Sequence, residues 1–117
     1  LTVETLDDLT SLVLAAKRGP VVMEVESKCG DAALSEQVRE FLRRQQLPAV
    51  RATPGVRNAD LLEREDGTLV EQYLFGGRHD YENYQANYAA EHRAAMREAF
   101  PTGVDRTVRA SVLRARA

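Results

Sequence analysis

The order of strands and helices can be worked out from residues 56–75, which read VRNADLLEREDGTLVEQYLF. Two short runs, residues 56–65 and 68–75, are separated by Asp66-Gly67. Asp-Gly between alternating runs is the strongest short-range signal of a β-hairpin, because both central positions of its two-residue turn need positive φ. The segment therefore predicts two antiparallel strands joined by a two-residue turn.

A helix and a strand are predicted before the hairpin. Residues 1–18 have apolar positions at helical spacing and run into Gly19-Pro20, which is typical of a helix stop. The next run, residues 21–26, is rich in β-branched side chains and predicts a strand with alternate residues from Val21 on one face. The first residue is Leu, so we expect further residues upstream of it.

A second helix is predicted between this strand and the hairpin. Asp31 follows a glycine and is placed to cap the helix, because its side chain can accept a hydrogen bond from a free backbone N–H. One apolar stripe at helical spacing is formed by Leu34, Val38, Phe41 and Leu42. We expect the helix to reach about Gln46, with Pro48 marking its end or a kink.

A further helix and a fourth strand are predicted after the hairpin. Asp80 is expected to cap a long helix that runs to Pro101-Thr102-Gly103, and residues 106–113 alternate like a strand. After the N-terminal helix the order is β, α, β, β, α, β. This is the ferredoxin-like α+β arrangement, in which two helices cover one face of a four-stranded antiparallel sheet. We therefore divide the chain into an N-terminal helix and linker, residues 1–19, and a ferredoxin-like domain, residues 20–117.

The outer face of this predicted sheet is more apolar than a solvated face needs to be. In the third strand Leu69, Tyr73 and Phe75 lie on one side, and Val70 and Leu74 lie on the other. An antiparallel sheet with one wet face alternates more cleanly. A mixed face of this kind suits a polar-rimmed contact between two copies as well as it suits solvent. We favour a homodimer over a monomer.

Composition and charge restrict the classes of function. The chain has 117 residues, of which 44% are hydrophobic, and a formal net charge of −2, which indicates one ordinary globular domain. Most basic residues stand close to Glu or Asp, so nucleic acid is disfavoured as a partner. No apolar run is long enough to span a bilayer, and the single cysteine, Cys29, cannot form an internal disulfide or a Cys-based zinc site. We expect a cytoplasmic protein with no membrane partner.

The residues in and around the hairpin resemble those of a known superfamily. They are Leu47-Pro48-Ala49-Val50, Ala52-Thr53-Pro54-Gly55, Val56 to Glu65, Asp66-Gly67-Thr68, Gln72-Tyr73 and Asp80-Tyr81-Glu82-Asn83-Tyr84-Gln85. This succession resembles the dimeric α+β barrel proteins, the superfamily that contains the antibiotic-biosynthesis-monooxygenase-like domains. It is most similar to an uncharacterised bacterial branch. The resemblance extends from Val21 to Leu113 and implies that two sheets pair into a barrel, with a pocket between each sheet and its helices.

The resemblance implies several kinds of chemistry. Members of the superfamily include cofactor-independent oxygenases and cyclases acting on polyketides, haem-degrading enzymes and muconolactone-type isomerases. In the haem-degrading members a His on the second helix binds the iron, and His92 falls at a comparable position. Those members also carry a tryptophan at the end of the third strand, where this chain has Leu74-Phe75. We therefore rank haem below an organic ligand and expect no cofactor.

One face of the last predicted helix carries the main candidates for a site. Its polar-tipped side chains recur at helical spacing: Tyr81, Tyr84, Tyr88 and His92. Tyrosines at this spacing also occur as ordinary packing residues. Each buried hydroxyl or imidazole needs a hydrogen-bond partner, however, and a wet or occupied cavity supplies partners. His92 is the candidate general base or acid because its unperturbed pKa lies near neutrality, and a structural histidine is the alternative.

Two residues of the hairpin are further candidates. Asn58 and Tyr73 present an amide and a phenol to the same cavity only if both side chains point inward, which the alternation does not settle.

Four other side chains receive structural interpretations. His79 is assigned to a helix cap, Cys29 is taken as an unreactive loop thiol, and Glu24 and Glu26 are taken as a solvated or interface pair. We expect no metal site, because His79 and His92 are separated by about 20 Å along a helix.

Two functional hypotheses follow. The first is a homodimer that binds a small aromatic or polyketide-like molecule, with His92 as the catalytic residue and with Tyr73, Tyr84, Tyr88 and Asn58 as substrate contacts. If it is an enzyme, it would be a cofactor-free oxygenase, cyclase or isomerase that works by proton transfer. The second is a non-catalytic dimerisation or partner-binding module whose tyrosines are core. A cavity of about 300 Å³ or more with His92 and two tyrosine hydroxyls favours the first hypothesis, and a solid core favours the second.

Overall fold

Four antiparallel strands form a single sheet. The computed structural model describes residues 19–114. Its strands are β1 (Val21–Cys29), β2 (Val56–Glu63), β3 (Leu69–Phe75) and β4 (Val104–Val112). Their order is β2-β3-β1-β4, and every neighbouring pair is antiparallel. The sheet therefore has the predicted ferredoxin-like topology, with β2 and β4 at its edges.

The alternation along β1 and β3 separates the two faces of the sheet. Val21, Met23 and Val25 are buried, and the residues between them are half-buried. The register places Met23 opposite Tyr73 of β3 and Ala110 of β4, so these side chains share the face that the helices cover. The predicted division of faces in these strands is confirmed.

The helices all lie on one face of the sheet. They are α1 (Ala32–Phe41), a π-helical turn (Leu42–Gln46), α2 (Leu47–Arg51), α3 (Arg78–Asn87) and α4 (Ala89–Ala99). Asp31 caps α1 as predicted, since its carboxylate accepts a hydrogen bond of 2.7 Å from the Leu34 N–H.

The helix that begins at Asp31 continues beyond its predicted end near Gln46. The π-helical turn leads directly into α2, and Pro48 lies in the first turn of α2. Proline donates no helical hydrogen bond at this position, and the wider turn before it accommodates the ring. The same turn directs Gln46 inward, where its side chain is 3% exposed.

The single long helix predicted from Asp80 is divided in two. Tyr88 has φ −129° and ψ −31°, outside the helical range, and it separates α3 from α4. The Asn87 side chain donates a hydrogen bond to the Asn83 carbonyl and so competes with the regular helical bond at this point. The helix also begins earlier than expected, with Gly77 at the N-cap and Asp80 in the first turn.

The hairpin turn has three residues instead of the predicted two. The Arg64 N–H donates to the Thr68 carbonyl, and the Gly67 N–H donates to the Arg64 carbonyl, both at 2.9 Å. Gly67 has φ 89°, and between positions 19 and 114 only glycines have positive φ. Asp66 therefore keeps an ordinary conformation, and one left-handed glycine completes a type I turn with a bulge.

The core lies between the sheet and the helices in two clusters. The larger cluster joins β1, β2 and β3 to α2, α3 and the start of α4: Val21, Met23, Val25, Leu47, Val50, Ala59, Tyr73, Phe75, Tyr84 and Ala89. The smaller cluster contains Val38, Leu42, Leu69 and Met96. The helices cover β4 less well, and Val108 on its helix-side face is 49% exposed. This less covered end of the layer is where a cavity lies.

The predicted helix over residues 1–18 lies outside the described residues. That helix, and the division of the chain into residues 1–19 and 20–117, therefore stay predictions. None of the helices between residues 19 and 114 combines the length and the apolar character needed to cross a membrane.

Candidate ligand-binding site

A cavity of about 370 Å³ lies between α4 and the β1–β4 side of the sheet. Its wall is partly apolar, with Met23 and Val25 from β1 and Met96 and Phe100 from α4 and the residue after it. The polar side chains that line it are the Gln46 amide and groups of two further kinds. The first kind is aromatic: Tyr73, Tyr84 and His92. The second kind is basic: Arg93, Arg97 and Arg106.

His92 and Tyr84 form a hydrogen-bonded pair that connects α4 to α3. The Tyr84 hydroxyl lies 2.7 Å from Nδ1 of His92, and the two ring centroids are 5.6 Å apart. The Gln46 amide donates a hydrogen bond of 3.0 Å to the backbone carbonyl of His92. The π-helical turn thus holds the backbone of α4 at the position where the imidazole enters the cavity.

Burial determines the protonation of this pair. Burial lowers the pKa of His92 below 6.5, and the nearby charge of Glu91 opposes this effect. Burial also raises the pKa of the Tyr84 hydroxyl, and the charge of Glu71 raises it further. At neutral pH both members of the pair are therefore uncharged. Among residues 19–114 only Nδ1 of the imidazole has a hydrogen-bond partner, which leaves Nε2 for a ligand.

Glu71 is fully buried beneath the cavity on the helix-covered face of β3. The Tyr73 hydroxyl donates a hydrogen bond to its Oε1, and Nη1 of Arg106 lies 3.0 Å from its Oε2. The contact with Arg106 is an ion pair without hydrogen-bond geometry, and Oε2 has no other polar partner in the described part of the chain. Arg106 also donates a hydrogen bond of 3.0 Å to Ser27 Oγ. Glu71 therefore positions two side chains of the cavity.

The charged state of Glu71 is unfavourable at this place. Burial raises the pKa of its carboxyl group, and the charge of Arg106 acts in the opposite direction. Desolvation outweighs the combined effect of the Arg106 charge and the hydrogen bond from Tyr73 on this pKa. Carboxyl groups whose pKa is shifted by burial and by a charged partner are found at functional sites and also in structural ion-pair networks.

The structure brings together three of the predicted site residues. Tyr73, Tyr84 and His92 all line the cavity. Tyr88 lies at the break between α3 and α4, where it stacks on Tyr84 with 6.5 Å between ring centroids, and it is not among the lining residues. Tyr81 also lies off the cavity and packs edge-on against the core. The helix break at Tyr88 divides the single face that the sequence predicted for these side chains. Residues before and after Tyr88 no longer follow one helical repeat.

A β-bulge places Asn58 on the other side of the sheet. The pairing of β2 with β3 shifts between Val56 and Asn58, and Arg57 is the additional residue. One additional residue reverses the face to which the following side chains point. Asn58 is consequently exposed on the outer face, where its amide donates a hydrogen bond of 2.9 Å to Asp60. The condition of pointing inward is met by Tyr73 and not by Asn58.

The sequence prediction missed several charged residues of the site. Strand alternation could have identified some of them. Glu71 lies two residues before Tyr73, so the alternation of β3 already places it on the helix-covered face. Arg106 has the same parity as Val108 on β4. Arg93 directly follows His92, and its exposure at the cavity depends on the position of α4, which no local pattern specifies.

The other ionisable candidates lie away from the cavity. Glu26 is on the outer face, where it pairs with Arg64 at 2.8 Å and Arg109 at 3.5 Å, and the hydrogen bond from Arg64 lowers the pKa of its carboxyl group. Burial raises the pKa of Cys29, which is the opposite of what a nucleophilic thiol needs. Between residues 19 and 114 there is no group of three or more side chains that could hold a metal ion.

Comparison with known proteins identifies the fold. No protein-family model and no curated protein matches the sequence. A monooxygenase from the gene ActVA-Orf6 of Streptomyces coelicolor, solved with the ligand nanaomycin D, matches with a TM-score of 0.61 and 21% identity over 86% of this chain and 92% of that chain. SnoaB, a cofactor-independent oxygenase from Streptomyces nogalater, matches with a TM-score of 0.61 and 14% identity over 84% of this chain and 96% of that chain.

A third solved structure with a similar fold is also described as a monooxygenase. It is a candidate antibiotic biosynthesis monooxygenase from Nitrosomonas europaea, with a TM-score of 0.61 and 17% identity over 78% of this chain and 95% of that chain. At such identities the shared property is the fold. The described part of the chain has the fold of these antibiotic-biosynthesis-monooxygenase-like structures, as the resemblance in its sequence predicted.

Proposed function

We propose that this protein binds a small, partly aromatic organic molecule in the cavity and acts on it by proton transfer. The observation that carries this proposal is the hydrogen-bonded His92–Tyr84 pair at the wall of a 370 Å³ cavity. Small-molecule sites typically have volumes of about 300–1,000 Å³. The rival hypothesis, a module without a ligand pocket, needs a solid core at this place, so the cavity argues against it.

His92 is the proposed general base. An imidazole that burial keeps neutral can accept a proton at Nε2 from an acidic C–H or O–H group of a ligand. In the tautomer that carries its proton on Nδ1, the imidazole donates to the Tyr84 oxygen. The Tyr84 hydroxyl is then free to donate to an oxyanion that develops on the ligand. Tyr73 is a second contact from the sheet, whereas Tyr88 and Asn58 have no role in this proposal because they lie off the cavity.

Two reactions use this proton transfer without a prosthetic group. Removal of a proton from an activated methylene group gives a carbanion that can itself reduce O₂. The methylene then becomes a carbonyl, with one oxygen atom in the product and the other in water. Return of the proton to another carbon is an isomerisation. The ligand of the S. coelicolor relative and the cofactor-independent activity of the S. nogalater relative support the first reaction on a ring-containing substrate.

The proposed assembly is a homodimer through the outer face of the sheet. Leu62 is 48% exposed on this face, beside the buried Val70. Glu26 and its arginines pair with one another there, which lowers the cost of covering them. Sedimentation should give twice the 13.0 kDa of one chain, and a single subunit would contradict the dimer. A cytoplasmic location stays a prediction.

Binding can be tested with a panel of hydroxynaphthalenes, anthrones and anthraquinones, followed by NMR chemical shifts and thermal shift. Val108 suits a blocking variant because it lines the cavity and is half exposed, so a larger side chain there leaves the core intact. We expect a member of the panel to bind the wild type and the control Val108→Ala, and to lose binding in Val108→Trp. Binding that persists in Val108→Trp, or no binding by any member, would support the non-catalytic module instead.

Turnover tests the role of His92 separately. For a compound that binds, oxygen uptake and isomer formation are compared between the wild type and His92→Gln. The proposal expects the variant to keep its affinity within about tenfold and to lose roughly 10²- to 10⁴-fold in rate, which is the range that general bases contribute. Unchanged turnover would show that His92 is not the base, even if the cavity binds the compound.

A further inference from the structure

The charged side chains that line the cavity have one sign. Arg93, Arg97 and Arg106 line it, and within residues 19–114 no Asp or Glu does. The charge of Arg106 is offset by Glu71 beneath it. Arg93 and Arg97 are exposed, and among the ion pairs of the described residues neither has a partner. The open end of the cavity, which we call its mouth, therefore carries the two uncompensated positive charges of Arg93 and Arg97. The net charge of the whole chain, by contrast, is −2.

The arginines of the π-helical turn show the opposite arrangement. Arg43 and Arg44 both pair with Glu40, at 3.3 Å and 2.8 Å, as oppositely charged residues three or four positions apart on a helix do. Arg93 and Arg97 have no acidic residue at these spacings. They are four positions from each other on α4, so two like charges lie side by side and repel. An anion bound between them would remove this repulsion.

We propose that the cavity takes an organic anion, a flat ring-containing carboxylate whose charged group binds Arg93 and Arg97. The planar guanidinium group matches a carboxylate with two parallel hydrogen bonds, and both arginines stand at the mouth where such a group would remain partly solvated. The rings then lie inward against Met96 and Phe100. This inference rests on the proposed function, because it places the same ligand next to His92.

The position of Arg93 connects the anion to the reacting groups. The charges of Arg93 and Arg106 both act on the pKa of Tyr84, so their field reaches the hydroxyl that would contact the ligand. Arg93 also directly follows His92 in α4. A carboxylate held by Arg93 and Arg97 therefore orients the ring system so that its inner part faces the His92–Tyr84 pair. The carboxylate end of the ligand thus binds the arginines at the mouth, and its inner end undergoes the proton transfer.

Matched pairs of probes test the inference. Benzoate, 2-naphthoate and anthracene-2-carboxylate are titrated against benzamide, 2-naphthamide and anthracene-2-carboxamide, which have the same shape without the charge. The proteins are the wild type, the double variant Arg93→Gln/Arg97→Gln, and Arg43→Gln. The last variant removes one positive charge far from the cavity and serves as the control for net charge.

The expected result is that the acid of at least one pair binds the wild type roughly tenfold more tightly than its amide, a preference that corresponds to about 1.4 kcal/mol. The preference should disappear in the double variant, persist in Arg43→Gln, and shrink as salt is raised because the arginines are exposed. Equal binding of acid and amide, or a preference that survives in the double variant, would overturn the inference.

The remaining outcomes separate this inference from the proposed function. If no acid binds while neutral hydroxyaromatic compounds bind and are excluded by Val108→Trp, the anion is wrong and the proposed function stands. If neither the acids, the amides nor the hydroxyaromatic compounds bind, both are wrong.

Discussion

The layer between the sheet and the helices is solid over β2 and β3 and hollow beside β4. On the solid side Val50, Ala59 and Phe75 are each 0% exposed. On the hollow side Val108 is half exposed, and the 370 Å³ cavity takes the place of packed side chains. The two sides belong to one sheet, but aliphatic and aromatic groups fill the first, while the second is lined by hydroxyl, imidazole and guanidinium groups beside apolar side chains such as Met23 and Met96. Stability and binding are therefore carried by different halves of the same layer.

The largest expected effect is on the solid side. Phe75 is fully buried and contacts the rings of Tyr81 and Tyr84, with centroid distances of 5.5 Å and 5.3 Å. Phe75→Ala should lower the free energy of unfolding by about 3–5 kcal/mol, because it leaves a void that the neighbouring rings fill only in part. Urea unfolding followed by circular dichroism measures this change.

The matched control for Phe75→Ala is Val108→Ala on the hollow side. It should change the free energy of unfolding by less than about 1 kcal/mol, since half of the Val108 side chain is already in water. Equal losses in the two variants would mean that the hollow side is packed in solution, and the contrast between the sides would fail.

A smaller effect is expected at Tyr84, which belongs to both sides. Its ring packs on the solid side, while its hydroxyl reaches His92 on the hollow side. Tyr84→Phe keeps the ring and removes the hydrogen bond, so the free energy of unfolding should fall by about 1 kcal/mol. Tyr81→Phe is the control, because its hydroxyl has no partner among the described residues, and it should change stability by no more than about 0.5 kcal/mol. Equal effects would show that the pair with His92 is not formed.

The smallest effect on stability is expected at Glu71, where two contributions oppose each other. Glu71→Gln removes the ion pair with Arg106, but it also removes the cost of burying a carboxylate. Arg106 is partly exposed, and the glutamine amide can still accept the hydrogen bond from Tyr73. The variant should therefore fold with stability close to that of the wild type at neutral pH.

The pH dependence of this variant gives a sharper test. The pKa of Glu71 is raised above 4.5 in the folded state, so its protonated form stabilises the fold at low pH, and this contribution is lost as the pH rises through the folded pKa. The free energy of unfolding of the wild type, minus that of Glu71→Gln, should accordingly fall as the pH rises above 4.5. A difference that rises over this range would mean that the ion pair outweighs desolvation.

The fold was predictable because its signals are local. The alternation of residues 21–26, the hairpin punctuated by Asp66-Gly67 and the cap at Asp31 each depend on neighbours within a few residues, and together they imply one topology. The turn length was wrong for a local reason as well. One left-handed glycine, Gly67, is enough when a type I turn precedes it.

The candidate site was only partly predictable because it depends on contacts between distant segments. The bulge at Arg57 is the clearest case, since the Arg57 side chain lies against Gly76, where a Cβ would come within 2.6 Å of Arg57 Nε. No local sequence pattern around Arg57 predicts this contact. The bulge at Arg57 nevertheless determines the face of the sheet to which Asn58 points. Glu71 is different, because its parity alone places it inward. A charged residue in an apolar strand face is the signal that sequence reasoning should have followed.

The π-helical turn at Leu42–Gln46 allows its helix to tolerate a change of one residue in length. It accommodates one residue more than regular α-helical winding, and each residue advances the side chains by about 100°. Deleting one residue of the turn would restore regular α-helical winding and leave Val38 and Val50, both of which are fully buried, on the same side of the helix, because the wide turn had absorbed the additional residue. The segment can therefore lose this one residue without moving the buried side chains at either end of the helix out of the core.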